Sequence, residues 1–168
     1  MNLREIKLNT GENLHDLSMN KAVLLVFLRH FGCIFCREAL FDLSGKKENL
    51  DQRNVEMVFV HMSEEEVAES YFDEFKLSGV KHISDPECFL YAKFGLVKGN
   101  FSQLFGFNTW VRGYEARKKG IRWTMEKIGD SLQMPGIFLF IEGQLKNSFV
   151  HKRASDIPDY DALVDCCV

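Results

Sequence analysis

The order of apolar runs and amphipathic segments predicts an α/β layered fold around a central mixed sheet flanked by helices. Three observations carry this. Ala22 to Leu28 is an unbroken apolar run of seven residues, the pattern of a parallel strand buried on both faces. Shorter strand patterns at Val55–His61 and Lys81–Ser84 alternate with segments of helical periodicity, as in layered α/β proteins. Ile137–Ile141 and Leu145–His151 flank Gly143 and read as a hairpin that adds an antiparallel edge to the sheet.

Taken in order, a short strand is expected around Ile6 to Leu8, followed by the turn-rich Thr10-Gly11-Glu12-Asn13. After the central strand a helix should run from about Cys36 to about Leu50, weakened at Gly45. The second strand, Val55 to His61, leads into Ser63-Glu64-Glu65-Glu66. That segment matches a capping box, with Ser63 as N-cap and Glu66 closing it. Val67, Tyr71, Phe72 and Phe75 then form one apolar helical face. Lys81 to Ser84 precedes Asp85-Pro86, an N-cap and first-turn proline for a helix that carries Phe89, Leu90 and Phe94 and stops at Gly95. Asn100 to Lys119 reads as an aromatic helix, with Phe101, Leu104, Phe105, Phe107, Trp110, Val111 and Tyr114, and core packing explains it best. A last helix fills Pro158 to the C-terminus. The overall order is β–α–β–α–β–α–β–β–α.

The chain has 168 residues, which suits a single domain over 1–168. A hydrophobic fraction of 46% and a charged fraction of 27% are those of an ordinary globular protein, and 15 phenylalanines point to an aromatic core. The net charge of −3 gives no electrostatic basis for a nucleic-acid or anionic-membrane partner. Arg117-Lys118-Lys119 reads as a solvated helix end. Met1 to Asn20 lacks a signal-peptide h-region, and no apolar run approaches the roughly 20 residues that span a bilayer. A cytoplasmic setting follows as the expectation. There thiols stay reduced, and a close cysteine pair is catalytic or metal-binding more often than structural.

Such a pair lies directly after the central strand, in Phe31-Gly32-Cys33-Ile34-Phe35-Cys36. A helix N-terminus presents unpaired N–H groups and a positive dipole end, and both favour a thiolate. Cys33, nearer that end, would attack a disulfide, and Cys36 would resolve the mixed disulfide from one turn along. Arg29 and His30 either stabilise the thiolate or begin a solvated loop. Cys166 and Cys167 are auxiliary thiols or an incidental helix end. Zinc held by Cys33, Cys36, Cys166 and Cys167 is disfavoured, because adjacent cysteines make a poor second knuckle. Cys88 reads as a small buried hydrophobe, His61 and His151 as satisfied polar residues at strand ends, and His82 as a surface residue. Nothing matches a Ser/His/Asp triad, a phosphate loop or a His/carboxylate metal cluster. The chemistry is therefore expected to need no metal and no cofactor.

The strand into Cys33-x-x-Cys36, the helix after it, Met134-Pro135 before a strand, and the hairpin Ile137 to Leu145 together resemble the thioredoxin fold. In that fold the proline is cis and packs against the cysteines, so the resemblance makes Met134-Pro135 a substrate-facing loop. The segment Phe27 to Cys36 is similar in spacing to the peroxiredoxin active-site segment. Ser84-Asp85-Pro86 with Tyr91-Ala-Lys-Phe-Gly95 resembles the peroxiredoxin stretch after its third strand. Gly129-Asp130, Gln133-Met-Pro-Gly-Ile-Phe, His151 and Ser155-Asp156-x-Pro158 are similar to the peroxiredoxin-like 2 group of the AhpC/TSA superfamily. The match runs from about Asn20 onward and implies a peroxiredoxin-like elaboration of the thioredoxin fold.

The departures shape the chemistry. Aligned on Cys36, the peroxiredoxin Pro and Thr fall at Arg29 and Cys33. Aligned on Cys33, the buried Asp of thioredoxin falls at Phe27. The remote peroxiredoxin Arg would be Arg112 or Arg122. The resemblance implies a thiol–disulfide oxidoreductase of antioxidant or redox-regulatory kind. Its substrate would be an oxidised protein or a small thiol or disulfide, its reductant of thioredoxin or glutathione type, and a homodimer is allowed. A hydroperoxide-reducing thiol peroxidase, in which Cys36 is oxidised and Cys33 resolves it, is the alternative. A non-catalytic interaction module is a third.

Overall fold

The computed structural model describes residues 2–100, 107–118, 120–121 and 129–168. Five strands form one sheet: β1 (Ala22–Phe27), β2 (Val55–His61), β3 (Lys81–Ser84), β4 (Gly136–Ile141) and β5 (Gln144–Val150). Their spatial order is β3-β2-β1-β4-β5. β1 and β2 pair in parallel, as do β2 and β3, while β4 lies antiparallel to both β1 and β5. The mixed sheet with its antiparallel hairpin edge is the expected one.

The apolarity of β1 has a simple cause. Leu24, Val26 and Leu28 point into a core shared with Leu40, Leu43, Phe59 and Phe72, whereas Val23, Leu25 and Phe27 point into the opposite core with Val60, Tyr91 and Phe138. Each face is covered, so no position on the strand can be polar without losing hydration. The first core is closed by α2 (Ile34–Gln52), α3 (Glu65–Glu74) and α6 (Tyr160–Asp165). The second is closed by α1 (Leu14–Asn20), α4 (Phe89–Lys93) and the N-terminal turn Leu3–Glu5. The described part of the aromatic helix is α5 (Phe107–Lys118). Positions 101–106, Arg122, and the side chains of Phe107 and Trp110 lie outside the described residues.

Several local expectations give way. Ile6 to Leu8 forms no strand, only an isolated bridge between Lys7 and Asn13. The unforeseen α1 starts where the Asn13 side chain accepts from Asp16 N–H at 2.9 Å and buries Leu14 and Leu17. α2 passes straight through Gly45, since packing of Leu40, Leu43 and Leu50 outweighs the cost of one glycine. Ser63 does not cap α3, because its hydroxyl bonds the His61 ring instead, at 3.1 Å, and Glu64 takes the N-cap position. Asp85 lies upstream of α4, which Cys88 opens in a left-handed conformation. The Asp85 carboxylate still accepts from the N–H groups of Phe89, Leu90 and Tyr91. α6 begins at Tyr160 because Asp159 caps Ala162 N–H at 3.0 Å. His82 is buried rather than exposed: its ring pairs with His61 at 2.9 Å and lies on Phe72. Among the described residues no helix is long and apolar enough to cross a membrane.

Candidate active site

The site forms where β1 ends and α2 begins. Tyr91, buried between the two layers, donates its hydroxyl to the carbonyls of Leu28 and Val60 and so fixes the strand end. The chain then turns through 30–33, with Cys33 N–H donating to His30 O at 3.0 Å. Cys33 is the N-cap of the 19-residue α2 and makes no side-chain cap bond, which leaves its sulfur at the positive end of the helix. Cys36 lies one turn inside. Both thiols are free, 6% and 4% exposed.

Arg29 organises the pair. Its guanidinium Nη1 donates to Cys33 Sγ at 3.4 Å, and its backbone N–H donates to Cys36 Sγ at 3.3 Å. Nη2 donates to the carbonyl of Ser131. Arg29 is only 5% exposed, and its Nε has no hydrogen-bond partner among the described residues. A buried cation with a spare donor favours a thiolate beside it. The loop carrying Ser131 can approach this closely because Gly129 has no side chain. A Cβ there would sit 3.1 Å from Arg29 O and 3.3 Å from His30 Cβ, at a φ of +109°.

The two sulfurs are not equivalent. The hydrogen bond from Cys36 holds Cys33 well below the ordinary thiol range, and the charges of Arg29 and His30 add to this against the cost of burial. The same bond, together with burial, pushes Cys36 well above it. The two thiols therefore titrate as a pair, with loss of the first proton favoured at Cys33.

Cys36 also opens on a cavity between α2, the start of β4 and the 151–160 segment, lined among others by Phe35, Pro135, His151, Ile157 and Tyr160. Pro135 lines the same cavity as Cys36, and buried Met134 packs with Phe35 and Ala154. The Met134–Pro135 bond is trans, not cis. Met134 N–H bonds Val97 O, and Gln133 bridges Lys98, so the segment before Pro135 is held against residues 97–98.

Cys166 and Cys167 are not brought to the site. They are exposed beyond α6, with their sulfurs 2.6 Å apart. Arg53 at the far end of α2 pairs with Asp165 and donates to Val168 O. α2 covers about 25 Å between Cys36 and Arg53, so the four cysteines cannot share one ion. Arg112, on α5, is spent on the buried carboxylate of Glu38 at 3.2 Å and on Glu115. Cys88 is half-buried, with its thiol on Met62 Sδ at 3.3 Å. Ser131 and Tyr91 carry no sequence signal of their place at the site. A carbonyl 102 residues from Arg29 leaves no side-chain signature.

Residues 42–155 match the family model described as AhpC/TSA antioxidant enzyme, a span that begins inside α2, after Cys36. The thioredoxin-like protein AAED1, chloroplastic, of Arabidopsis thaliana is 26% identical over 161 residues, covering 90% of this chain and 64% of that protein. The prostamide/prostaglandin F synthase of Bos taurus is 27% identical over 161 residues, 92% of this chain and 79% of that one. The chain thus spans about two thirds of the plant relative's length. Among solved structures, a cysteine-to-serine mutant of peroxiredoxin 6 of Arenicola marina superposes with a TM-score of 0.64 at 17% identity, over 96% of this chain and 70% of that one. The chain has the thioredoxin-like fold of the peroxiredoxins and belongs to the AhpC/TSA antioxidant enzyme family.

Proposed function

We propose that the protein is a thiol–disulfide oxidoreductase in which Cys33 attacks and Cys36 resolves, with residues 1–168 acting as one unit. The observation that supports this reading is the double contact of Arg29, guanidinium to Cys33 and backbone N–H to Cys36. It sets a cation against Cys33 and only a backbone N–H against Cys36. The Cys33 thiolate attacks a substrate disulfide and forms a mixed disulfide, and one substrate thiolate leaves. Cys36 then loses its proton and attacks Cys33 sulfur, which forms the Cys33–Cys36 disulfide and releases the second thiolate. The substrate is reduced by two electrons. A reductant of thioredoxin or glutathione type in the cytoplasm restores the dithiol. Oxidised protein thiols and small disulfides both suit this cycle.

One observation favours a second reading, reduction of a hydroperoxide: Cys36, not Cys33, lines the cavity. There the Cys36 thiolate would take the distal oxygen, giving a sulfenic acid and an alcohol, and Cys33 would expel water to close the disulfide. The raised Cys36 thiol weighs against it.

Insulin reduction and peroxide consumption, each driven by a small dithiol, separate the two. The first reading expects Cys33→Ser to abolish insulin reduction and Cys36→Ser to trap a mixed disulfide on Cys33. Peroxide consumption lost in Cys36→Ser, with sulfenic acid accumulating on Cys36 in Cys33→Ser, would replace it by the second.

A further inference from the structure

Arg29 reaches Cys33 Sγ with Nη1, and its Nη2 donates to the carbonyl of Ser131. Nε has no partner, so this carbonyl is the guanidinium's one oxygen acceptor among the described residues. The direction of the carbonyl therefore decides where the cation lies. Ser131 C=O and Leu132 N–H belong to one trans peptide group, which is planar, so the two point in opposite directions. Fixing the N–H aims the carbonyl. Leu132 N–H donates to Asp130 Oδ1 at 2.8 Å, and Oδ2 of the same carboxylate pairs with Lys98 Nζ at 2.7 Å. The Lys98 ammonium and then the Leu132 N–H hold this carboxyl below its usual range, so it is an ionised acceptor. The Asp130 backbone is tied separately. Its N–H donates to Met62 Sδ at 3.4 Å, and its carbonyl accepts from Gln133 N–H at 3.2 Å.

We propose that Asp130 is a positioning residue for the attacking thiol, a role that rests on the attack-and-resolve reading above: by gripping Leu132 N–H it turns Ser131 C=O onto Arg29 and so keeps the guanidinium on Cys33 Sγ. The contacts run without a gap from Lys98 through Asp130, the 131–132 peptide and Arg29 to Cys33. The charge of Asp130 works in the opposite sense, since a negative group near a thiol opposes its ionisation. Asp130 can thus help the Cys33 thiolate only through geometry. This opposition of signs makes the role testable. Loss of the acceptor and loss of the charge shift Cys33 in opposite directions, and the two can be removed separately.

The measurement is iodoacetamide alkylation of the reduced full chain across a pH series, with Cys33 followed by mass spectrometry. Asp130→Ala removes acceptor and charge together. It should raise the alkylation midpoint of Cys33 and lower its proton-release equilibrium about three- to tenfold, the effect of one lost hydrogen bond. Asp130→Asn keeps a side-chain oxygen for Leu132 N–H and removes the charge, so its midpoint should lie at or below that of the parent. Asp130→Gly serves the same test if the alanine variant does not fold. In an Arg29→Met background, Asp130→Ala should add less than about twofold, because the bond it acts through is gone. A folded Asp130→Ala variant with its midpoint at or below the parent's overturns the role. So does an asparagine variant that rises as far as the alanine one, or an equal rise with Arg29 absent. Failure of the attack reading shows elsewhere, as insulin reduction that survives Cys33→Ser, so the two failures are distinguishable.

Discussion

Two pairs of thiols stand at opposite ends of one helix layer. Cys33 and Cys36 are buried at the N-terminus of the 19-residue α2, beside a buried arginine. Cys166 and Cys167 are adjacent and exposed, past the six-residue α6 and beside Arg53 at the C-terminal end of α2. The sulfurs of the second pair lie only 2.6 Å apart, yet Cys167 is pushed upward by its neighbour and no cation bonds either sulfur among the described residues. Closeness does not make a dithiol reactive. What differs is the helix end each faces, positive for Cys33 and negative near α2's last turn, and the charged guanidinium aimed at Cys33.

The largest break in this contrast comes from exchanging the pairs' roles by mutation. Cys33→Ser should abolish disulfide reduction, whereas Cys166→Ser with Cys167→Ser should leave turnover within about twofold. Arg29→Met comes next. It removes a charge-assisted bond to sulfur worth about 1.5–3 kcal/mol, so the pH midpoint of Cys33 alkylation should rise and its rate at neutral pH fall about tenfold or more. Alkylation of Cys166 should not change.

Acid should then weaken the end of the molecule that holds Cys33 and Cys36. Burial keeps His61 neutral in the folded protein down to about pH 3 and His151 down to about 4, against 6.5 in the unfolded chain. Between these values the unfolded chain binds more protons, so this stability is complete above about pH 6.5 and is lost as pH falls. At about pH 5 the loss is about 2 kcal/mol for each histidine, to be read as a lower urea midpoint at an unchanged slope. Replacing Cys166 and Cys167 should not alter that pH dependence. The smallest effect belongs to Arg53→Ala. The exposed pair with Asp165 is worth about 0–1 kcal/mol. The variant should expose the C-terminal segment to hydrogen exchange and leave insulin reduction as it was.

Much of the frame was legible because its cause is local. The double-faced burial of β1 writes itself as an apolar run, β2 and β3 match their predicted ranges, and the hairpin turns at Gly143. The strand-to-helix placement of Cys33 and Cys36 was legible for the same reason. What was not legible depends on partners distant in sequence. The seating of Gln133 and Met134 depends on Val97 and Lys98, the burial of His82 on His61, and the loss of the Ser63 cap on the same histidine. Arg29 could be named from its position, but its choice of Cys33 over solvent depends on Ser131 and on the close pass of Gly129. Phe27 stands where a thioredoxin carries a buried acid, which its position alone makes legible.

The central claim is that Cys33 is the thiolate and Cys36 the thiol. Site-resolved alkylation of the reduced protein across a pH series, with each cysteine followed by mass spectrometry, tests it directly. The account predicts that Cys33 is labelled at the lowest pH of the five cysteines and that Cys36 is labelled only well into the alkaline range. Labelling of Cys36 before Cys33, or of both together in the range of ordinary thiols, would contradict it.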